Sequence, residues 1–422
     1  MRTPLRALLE WLLLGAACGV ASGVASAAFL LSLDWATAFR LAHERIVFAL
    51  PVAGLVIGVV YDRWGKPIRA GNNLVIDTVH EDSPELPLRM APMVLVGTVL
   101  THLFGGSAGR EGTAVQMGAS LADAIAHRLG VTRETRRELL CSGIAGGFGS
   151  VFGTPFAGTL FGVEVVSLGR LEYGALAPAL TASLVGDWVT RHLGVEHTPY
   201  PTLGTLPLTL VVVGKLVALG AAMALVTAAF IELTHGLKHR LERRLPALPL
   251  RMMVGGAGVV VLWQLAGTSM YLGLGVPTIL RAFEDPSLPT GAFAWKLVFT
   301  AITLSAGFLG GEVTPLFFVG VTLGSVLARL LGLPIALGAG VGLAAVFGAA
   351  ANTPLALSVM AVELLGMGAL PHVVIVVVVA YLLTGHRGIY PSQRLVRRKD
   401  GRRLSRPVAL RDVGDYDERP RS

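Results

Sequence analysis

Apolar runs recur along the whole chain, and several approach or exceed the length that crosses a lipid bilayer as a helix. The chain has 422 residues, of which 53% are hydrophobic and only 15% are charged. A soluble domain carries about 25% charged residues, so a soluble fold of this size would have too little polar surface to cover it. About 18 consecutive apolar residues span the hydrocarbon core. The sequence therefore predicts an all-α polytopic membrane protein.

The N-terminal stretch through Phe29 also has features of a secretory signal. It contains basic residues, an apolar region and the small-residue sequence Ala-Ser-Ala near position 26. Such a pattern is typical of a cleaved leader. The apolar stretch continues through Leu33, however, and another follows from Ile46 to Val60. We therefore expect a retained first membrane helix.

Many of the predicted membrane segments are too short to cross about 30 Å of hydrocarbon. Short helices interrupted by glycine are typical of broken or re-entrant segments that line a buried site, and the chain contains 52 glycines. The predicted segments are 8–33, 46–62, 88–104, 110–128, 137–151, 154–169, 174–192, 206–236, 251–266, 293–309, 313–331, 335–349, 354–366 and 369–385.

Basic residues are concentrated after the last apolar segment, in the stretch RLVRRKDGRRLSRP. Under the positive-inside rule this predicts a cytoplasmic C-terminus. We expect the protein to lie in the inner membrane of the cell. Nucleic-acid binding is a weaker interpretation, because no aromatic residues accompany the basic run. We expect a solvated, membrane-adjacent tail and no nucleic-acid partner.

Two stretches of the first half recur about 200 residues later. GGSAGREGT (105–113) aligns with AGFLGGEVT (306–314), and FGTPFAGTLFGVEVV (152–166) aligns with ANTPLALSVMAVELL (351–365). Two matches at one spacing predict two homologous halves. We place the first repeat at 1–200, the second at 201–385, and a tail at 386–422. In membranes such halves are commonly inverted, with a binding site at their interface.

The charged pair Arg110–Glu111 lies among glycines between two apolar segments, where a charge costs at least a few kcal/mol. Three interpretations are open. The pair could be a solvated loop at the membrane edge. The sequence around Ser107 also matches the G-x-S-x-G pattern of serine hydrolases, although His102 is expected near the membrane interface and no His–Asp partner set is evident. The third interpretation is an ion site.

A helix that begins at about Arg110 would point its free backbone N–H groups at the glycine loop before it. These donors and the positive end of the helix dipole attract an anion. Glu111 could occupy the same place as a carboxylate and leave it when protonated, so one residue would be both gate and proton carrier. The equivalent helix of the second half, which opens at Glu312, would face the same point.

These stretches resemble the CLC family of chloride channels and transporters. GREGT (109–113) resembles the family's gate motif, GGEVTP (310–315) resembles its G-x-F-x-P motif, and GIYPSQ (388–393) resembles the segment that carries the anion-coordinating tyrosine, here Tyr390. The helices after the gate, at 146–166, also resemble the family. The likeness covers residues 8 to about 393, and it implies the CLC fold of two inverted repeats and a homodimer.

The departures from the family pattern resemble one clade, the CLC-F fluoride/proton antiporters. Asn72 replaces the serine of the family's anion-site motif, and Thr113 replaces the proline of its gate motif. Val313 and Thr314 stand in the second-half motif after Glu312. Val165 occupies the position of the inner proton glutamate of the chloride exchangers.

By this resemblance, seven residues are expected to bind the anion and two glutamates to gate it and transfer protons. Compact N–H and O–H donors suit fluoride, which accepts strong hydrogen bonds. Asn72 could also act merely as a helix cap, and Glu164 and Glu363 are expected to make helix-end hydrogen bonds. The anion-binding set is Asn72, Gly109, Arg110, Gly112, Val313, Thr314 and Tyr390, and the proton-transferring pair is Glu111 and Glu312.

The sequence thus predicts a fluoride/proton antiporter that exports fluoride across the cell membrane. Its expected partners are fluoride, protons, the lipid bilayer and a second copy of the chain, with no cofactor and no metal. Chloride/proton exchange and passive anion conduction remain alternatives within the family. A serine hydrolase acting through Ser107 is the alternative from another class.

Overall fold

The computed structural model describes residues 4–80 and 85–414, and this part of the chain is built mainly from helices. The end of the predicted tail, 415–422, lies outside the described residues. The helices of the first half are α1 (Pro4–Ala42), α2 (Leu50–Trp64), α3 (Asn72–Val79), α4 (Met90–Leu103), α5 (Glu111–Leu129), α6 (Arg133–Phe152), α7 (Pro155–Glu164) and α8 (Leu176–His192). Those that follow are α9 (Leu210–Arg244), α10 (Leu248–Ala266), α11 (Val276–Arg281), α12 (Ala292–Ala306), α13 (Val313–Leu331), α14 (Ile335–Ala350), α15 (Pro354–Leu365) and α16 (Leu370–Leu383).

The helices differ widely in length, as the glycine-interrupted segments predict. Five spans in the described residues are long and apolar enough to cross a membrane, and they include α1, α9 and α13. Others, such as α4, α12 and α15, have only 12 to 15 residues. A helix rises about 1.5 Å per residue, so these helices alone cannot cross a hydrocarbon core that is about 30 Å thick. The prediction of broken helices is confirmed.

The first helix is an integral part of the bundle. α1 extends to Ala42, beyond the predicted end at Leu33. Its glycines at 15, 19 and 23 face α8 so closely that an added Cβ would lie 2.6 to 2.7 Å from a carbonyl oxygen of that helix. Small residues four apart allow this backbone approach between membrane helices.

The same close crossing occurs once in each half. In the first half, α5 and α6 meet at Gly118 and Gly143, where an added Cβ would lie 2.2 to 2.4 Å from the facing carbonyl oxygen. In the second half, α13 and α14 meet at Gly320 and Gly342 with corresponding distances of 2.0 and 2.1 Å. The recurrence fits two repeats of one architecture.

The tail has secondary structure that the sequence does not predict, although most basic side chains of its run are exposed, as expected of a solvated tail. A small three-stranded sheet joins the helices and forms from β1 (Ser167–Leu168), β2 (Arg394–Arg397) and β3 (Arg403–Ala409). Strand β2 pairs in parallel with β1 and antiparallel with β3. The basic run therefore forms a hairpin that docks onto the first half next to the end of α7. The charged sequence does not indicate this pairing, because β2 pairs with a strand in the distant first half of the chain.

We predict that Gly320→Ala destabilises the protein strongly, because its Cβ would lie 2.0 Å from the carbonyl oxygen of Gly342. Overpacking typically costs about 1–3 kcal/mol, and more where backbone must move. The control is Gly214→Ala in α9, where nothing lies within 4 Å of the added Cβ. Melting temperature and monodispersity in detergent are the measurements. Equal melting temperatures for the two variants would contradict the close crossing.

Candidate anion-binding site

The helices α5 and α13 begin at the same point in the interior of the protein. The loops before them pair like a minimal antiparallel sheet: Gly109 N donates to Gly311 O at 2.6 Å, and Gly311 N donates to Gly109 O at 2.8 Å. Gly310 has a φ of 146°, a backbone angle that residues other than glycine rarely adopt. The repeat alignment predicts this meeting of the two helix starts, and the structure contains it.

The carboxylate of Glu111 lies across the start of α13. Glu111 is the first residue of α5 and is fully buried. Its Oε2 accepts hydrogen bonds from the backbone N of Thr314 at 3.2 Å and of Arg110 at 3.0 Å. Its Oε1 accepts a short hydrogen bond from the Thr314 hydroxyl. These donors are the kind that an anion would use at a helix N-terminus, so the carboxylate occupies an anion-like position.

The Arg110 guanidinium makes a looser contact with the same group. Its Nε is 3.7 Å from Glu111 Oε1, and the side chain is only 13% exposed. The hydrogen bond from Arg110 to the carboxylate comes from its backbone N instead. The edge-loop interpretation of the Arg110–Glu111 pair is therefore wrong, since neither side chain is freely solvated.

Glu312 faces a different space from Glu111. It is the residue before the first turn of α13 and helps to line a cavity of about 610 Å³. Its Oε2 is buried and has no hydrogen-bond partner within the described part of the chain. Basic side chains line the same cavity at Arg69, Lys238 and Arg251. The second-half glutamate therefore has open space in front of it, whereas Glu111 is held by donors on α13.

Asn72 and Tyr390 line this cavity together with Glu312. Asn72 is the first residue of α3, and the cap position belongs to Gly71, so the interpretation of Asn72 as a helix cap is wrong. Its Oδ1 is buried without a partner among the described residues. Its Nδ2 lies so close to Gly112 that a Cβ there would be 2.9 Å from it. Asn72 therefore connects the cavity to the start of α5.

The remaining predicted residues gather at the same crossing. Val313 is the first residue of α13 and is 1% exposed. Gly112 N would lie 2.7 Å from a Cβ added to Gly311, which shows how closely the two loops approach. Tyr390 is 4% exposed. All nine residues predicted for the site thus lie at this crossing or along the cavity beside it.

Comparisons with known proteins identify the family to which the chain belongs. A family profile described as "Voltage gated chloride channel" matches residues 53–385. The chain belongs to this family. A relative from Pseudomonas syringae pv. tomato, named "Chloride/fluoride channel protein", is 46% identical over 417 residues, which cover 97% of this chain and 92% of the relative.

Solved structures of the family match the fold. One described as a CLC-type fluoride/proton antiporter superposes with a TM-score of 0.90 at 37% identity, covering 94% of this chain and all of that one. A slow cyanobacterial Cl⁻/H⁺ antiporter matches with a TM-score of 0.78 at 19% identity over 89% of this chain and 94% of that one. The CLC resemblance that the motifs imply is confirmed.

In this CLC protein two carboxylates cap the helices α7 and α15 reciprocally. Glu164, at the end of α7, accepts from the backbone N of Leu355 at 3.1 Å and of Ala356 at 2.8 Å. Glu363, on α15, accepts from the backbone N of Phe156 at 3.0 Å and Ala157 at 2.7 Å. The prediction of helix-end hydrogen bonds for both glutamates is confirmed.

The hydrolase interpretation fails on geometry. The Ser107 hydroxyl shares a 3.0 Å hydrogen bond with Thr300. His102 is fully buried, and its two ring nitrogens lie 2.8 Å from Thr98 O and 3.0 Å from Ala108 O. A nucleophile needs a base within hydrogen-bond reach, and neither of these ring nitrogens is directed at Ser107.

Sequence reasoning gave no role at the site to Thr98 or Thr113, and it overlooked a buried cation elsewhere in the bundle. The hydroxyls of Thr98 and Thr113 lie 2.7 Å apart, and both residues line the cavity. Lys296 is a fully buried cation whose Nζ donates to Gly273 O at 2.6 Å and Tyr271 O at 3.1 Å. A lone lysine in the apolar segment 293–309 was the available signal, because a charge at membrane depth needs partners.

We predict that Gly112→Ala weakens anion binding about 10-fold, equivalent to about 1.4 kcal/mol, because the new Cβ would lie 2.9 Å from Asn72 Nδ2 and displace that amide. The control is Gly258→Ala, whose Cβ would make an ordinary 3.5 Å contact with Ile302. Titration calorimetry with fluoride and chloride on the purified proteins is the measurement. Wild-type affinity in Gly112→Ala would remove Asn72 from the site.

Proposed function

We propose that the protein is a fluoride/proton antiporter that exports fluoride across the cell membrane, with Glu111 as its gate and proton carrier. The observation that carries this proposal is the Glu111 carboxylate bound by the backbone N and hydroxyl of Thr314 at the start of α13. A carboxylate held by the donors that suit an anion competes with that anion. Protonation removes its negative charge and weakens those hydrogen bonds.

The exchange follows from this competition. When Glu111 is ionised, it fills the anion position. When it takes up a proton, its carboxyl group is released from α13, and fluoride binds the vacated donors of Thr314. Fluoride therefore binds at α13 only when Glu111 carries a proton, which links the two ions. The exchange further requires that fluoride and the proton enter and leave the site from opposite sides of the membrane.

Glu312 is proposed as the proton group on the cavity side. The position that carries an inner glutamate in chloride exchangers is Val165, which is 2% exposed and cannot titrate. Glu312 instead lines the cavity, with Oε2 buried and unpartnered among the described residues. In its acid form that group can donate a hydrogen bond to fluoride or pass a proton inward.

The choice of fluoride is supported by the relatives and by the donors. The fluoride/proton antiporter structure matches nearly the whole chain, and the Pseudomonas relative names fluoride as well as chloride. Asn72, Tyr390 and Thr314 bring small amide and hydroxyl groups to the cavity and the crossing. Fluoride, as a compact and strong acceptor, gains more from such donors than chloride does.

The assembly and orientation belong to the same proposal. We infer a homodimer with one pathway in each subunit, as the family resemblance implies. The C-terminal hairpin lies in the cytoplasm of a cell whose inner membrane holds the protein. The repeat boundaries remain those predicted from the sequence, at 1–200 and 201–385, with the Tyr390 segment following.

Flux from proteoliposomes tests the proposed function directly. We expect fluoride to leave loaded vesicles much faster than chloride, and an imposed pH gradient to drive fluoride uphill. Equal rates for the two anions would favour chloride/proton exchange. Fluoride flux without proton movement would favour the passive channel that the name of the Pseudomonas relative suggests. Empty vesicles and vesicles with heat-denatured protein are the controls.

We predict that Glu111→Gln abolishes pH-driven fluoride uptake, because an amide cannot carry the proton. Glu312→Gln should impair the exchange strongly for the same reason on the cavity side. The matched control is Glu242→Gln, which changes another glutamate that lines the cavity. Fluoride efflux and proton uptake are recorded together for each protein after size-exclusion chromatography. Coupled exchange in Glu111→Gln would exclude it as the gate, and wild-type coupling in Glu312→Gln would leave that residue structural.

A further inference from the structure

We propose that Asn73, Asp77, Ser392 and Arg411 form a positioning network that sets the separation of Asn72 and Tyr390, and so makes the C-terminal hairpin part of the anion-selectivity apparatus. This inference rests on the proposed function, because it concerns the same anion site. None of the four belongs to the set predicted to bind the anion.

The network begins with a direct link between the two segments that carry the proposed ligands. The backbone N of Ser392 donates to Asn73 Oδ1 at 3.1 Å. Asn73 follows Asn72 directly, and Ser392 comes shortly after Tyr390. A single hydrogen bond therefore joins α3 to the Tyr390 segment, although 319 residues separate its two ends.

Asp77 strengthens this link one helical turn further along α3. Its Oδ2 accepts from the Ser392 hydroxyl at 3.0 Å. The Arg411 guanidinium reaches both oxygens of Asp77 at 3.3 Å and donates to Ser392 Oγ at 2.9 Å. Arg394 approaches the same carboxylate at 3.9 Å. Ser392 is fully buried, so its hydroxyl depends on these partners rather than on water.

The hairpin returns its far end to the Tyr390 segment. Leu410 N donates to Gln393 O at 2.9 Å, and Arg411 N donates to Pro391 O at 3.0 Å. These bonds follow β3, so the strand pairing of the tail delivers Arg411 to its place beside Asp77. The segment around Tyr390 has no helix or strand of its own before β2 begins at Arg394.

Gln393 fixes the opposite side of the segment. Its fully buried side-chain amide donates to Val165 O and Ala351 O, both at 2.7 Å. These carbonyls end α7 and α14, one in each half. With Gln393 held on one side, the Asp77–Arg411 group determines how closely Tyr390 approaches α3.

Close positioning matters because fluoride is smaller than chloride. Donors must converge further to bind the smaller ion, and a working site tolerates displacements of only about 0.5 Å. Loss of the Arg411 contacts leaves the Asp77 carboxylate without its bidentate partner and frees the Ser392 hydroxyl. The Tyr390 segment can then move away from Asn72, which penalises fluoride more than chloride.

The test compares Arg411→Gln with Arg406→Gln, an exposed arginine on the same hairpin, in the full-length protein. Arg411→Gln should lower the ratio of fluoride to chloride efflux rates about 10-fold, the lower end of the losses seen when supporting residues of metal sites are removed. The apparent KM for fluoride should rise while that for chloride changes little. Arg406→Gln should match the wild type, and Arg411→Lys should recover part of the ratio.

Ser392→Ala is the second variant in case Arg411→Gln fails to fold, and it should shift the ratio in the same direction. An unchanged ratio in the folded variants overturns the network, even if their melting temperatures fall. The two proposals fail differently. A wild type that does not exchange fluoride for protons refutes the proposed function, whereas a selective wild type with equally selective variants refutes the network alone.

Discussion

The paired backbone of Gly109 and Gly311 is the constraint on which the site depends. Two hydrogen bonds of 2.6 and 2.8 Å join the loops that precede α5 and α13. Backbone at membrane depth needs partners for its polar groups, and here each loop satisfies the other. The pairing brings two positive helix ends to one point, and their combined potential favours negative charge there. This arrangement favours the binding of an anion at this point or, as in the structure, of the Glu111 carboxylate.

A second pair of helix starts shows the alternative use of the same physics. The N–H groups at the starts of α7 and α15 are occupied by Glu363 and Glu164, each carried by the facing helix. These carboxylates lie at the ends of their own helices and are held by two N–H groups each. At α13 the carboxylate comes instead from Glu111, beside glycines and a cavity, with a threonine hydroxyl as an additional donor. The first arrangement closes two helix ends, whereas the second places the carboxylate at the helix end where the proposed function requires an anion to replace it.

Sequence patterns predicted the parts of the site that are local or repeated. Glu111 and Glu312 could be predicted because glycines surround a charge in an apolar segment and the same pattern recurs about 200 residues later. The hairpin and the partners of Asp77 could not be predicted, because the strand pairing of the basic run depends on a distant strand that its own sequence does not indicate. The interpretation of Asn72 as a helix cap was wrong by one residue, because Gly71, with a φ of 56°, is the cap of α3. The partners of Lys296 could not be predicted either, because the carbonyls of Tyr271 and Gly273 come close to it only in the folded chain.

Under the proposed function, the proton path on the cavity side differs from one that begins after Glu164. Val165 is buried, and its carbonyl is bound by the Gln393 amide at 2.7 Å. A carboxylate at that position would lie among the groups that anchor the Tyr390 segment. Glu164 itself is engaged by two backbone N–H groups of α15. The cavity beside Glu312 contains space, basic side chains and an unpartnered carboxyl oxygen among its described lining residues. Under the proposed function, Glu312 is therefore the buried carboxyl group along this cavity that can pass a proton toward Glu111.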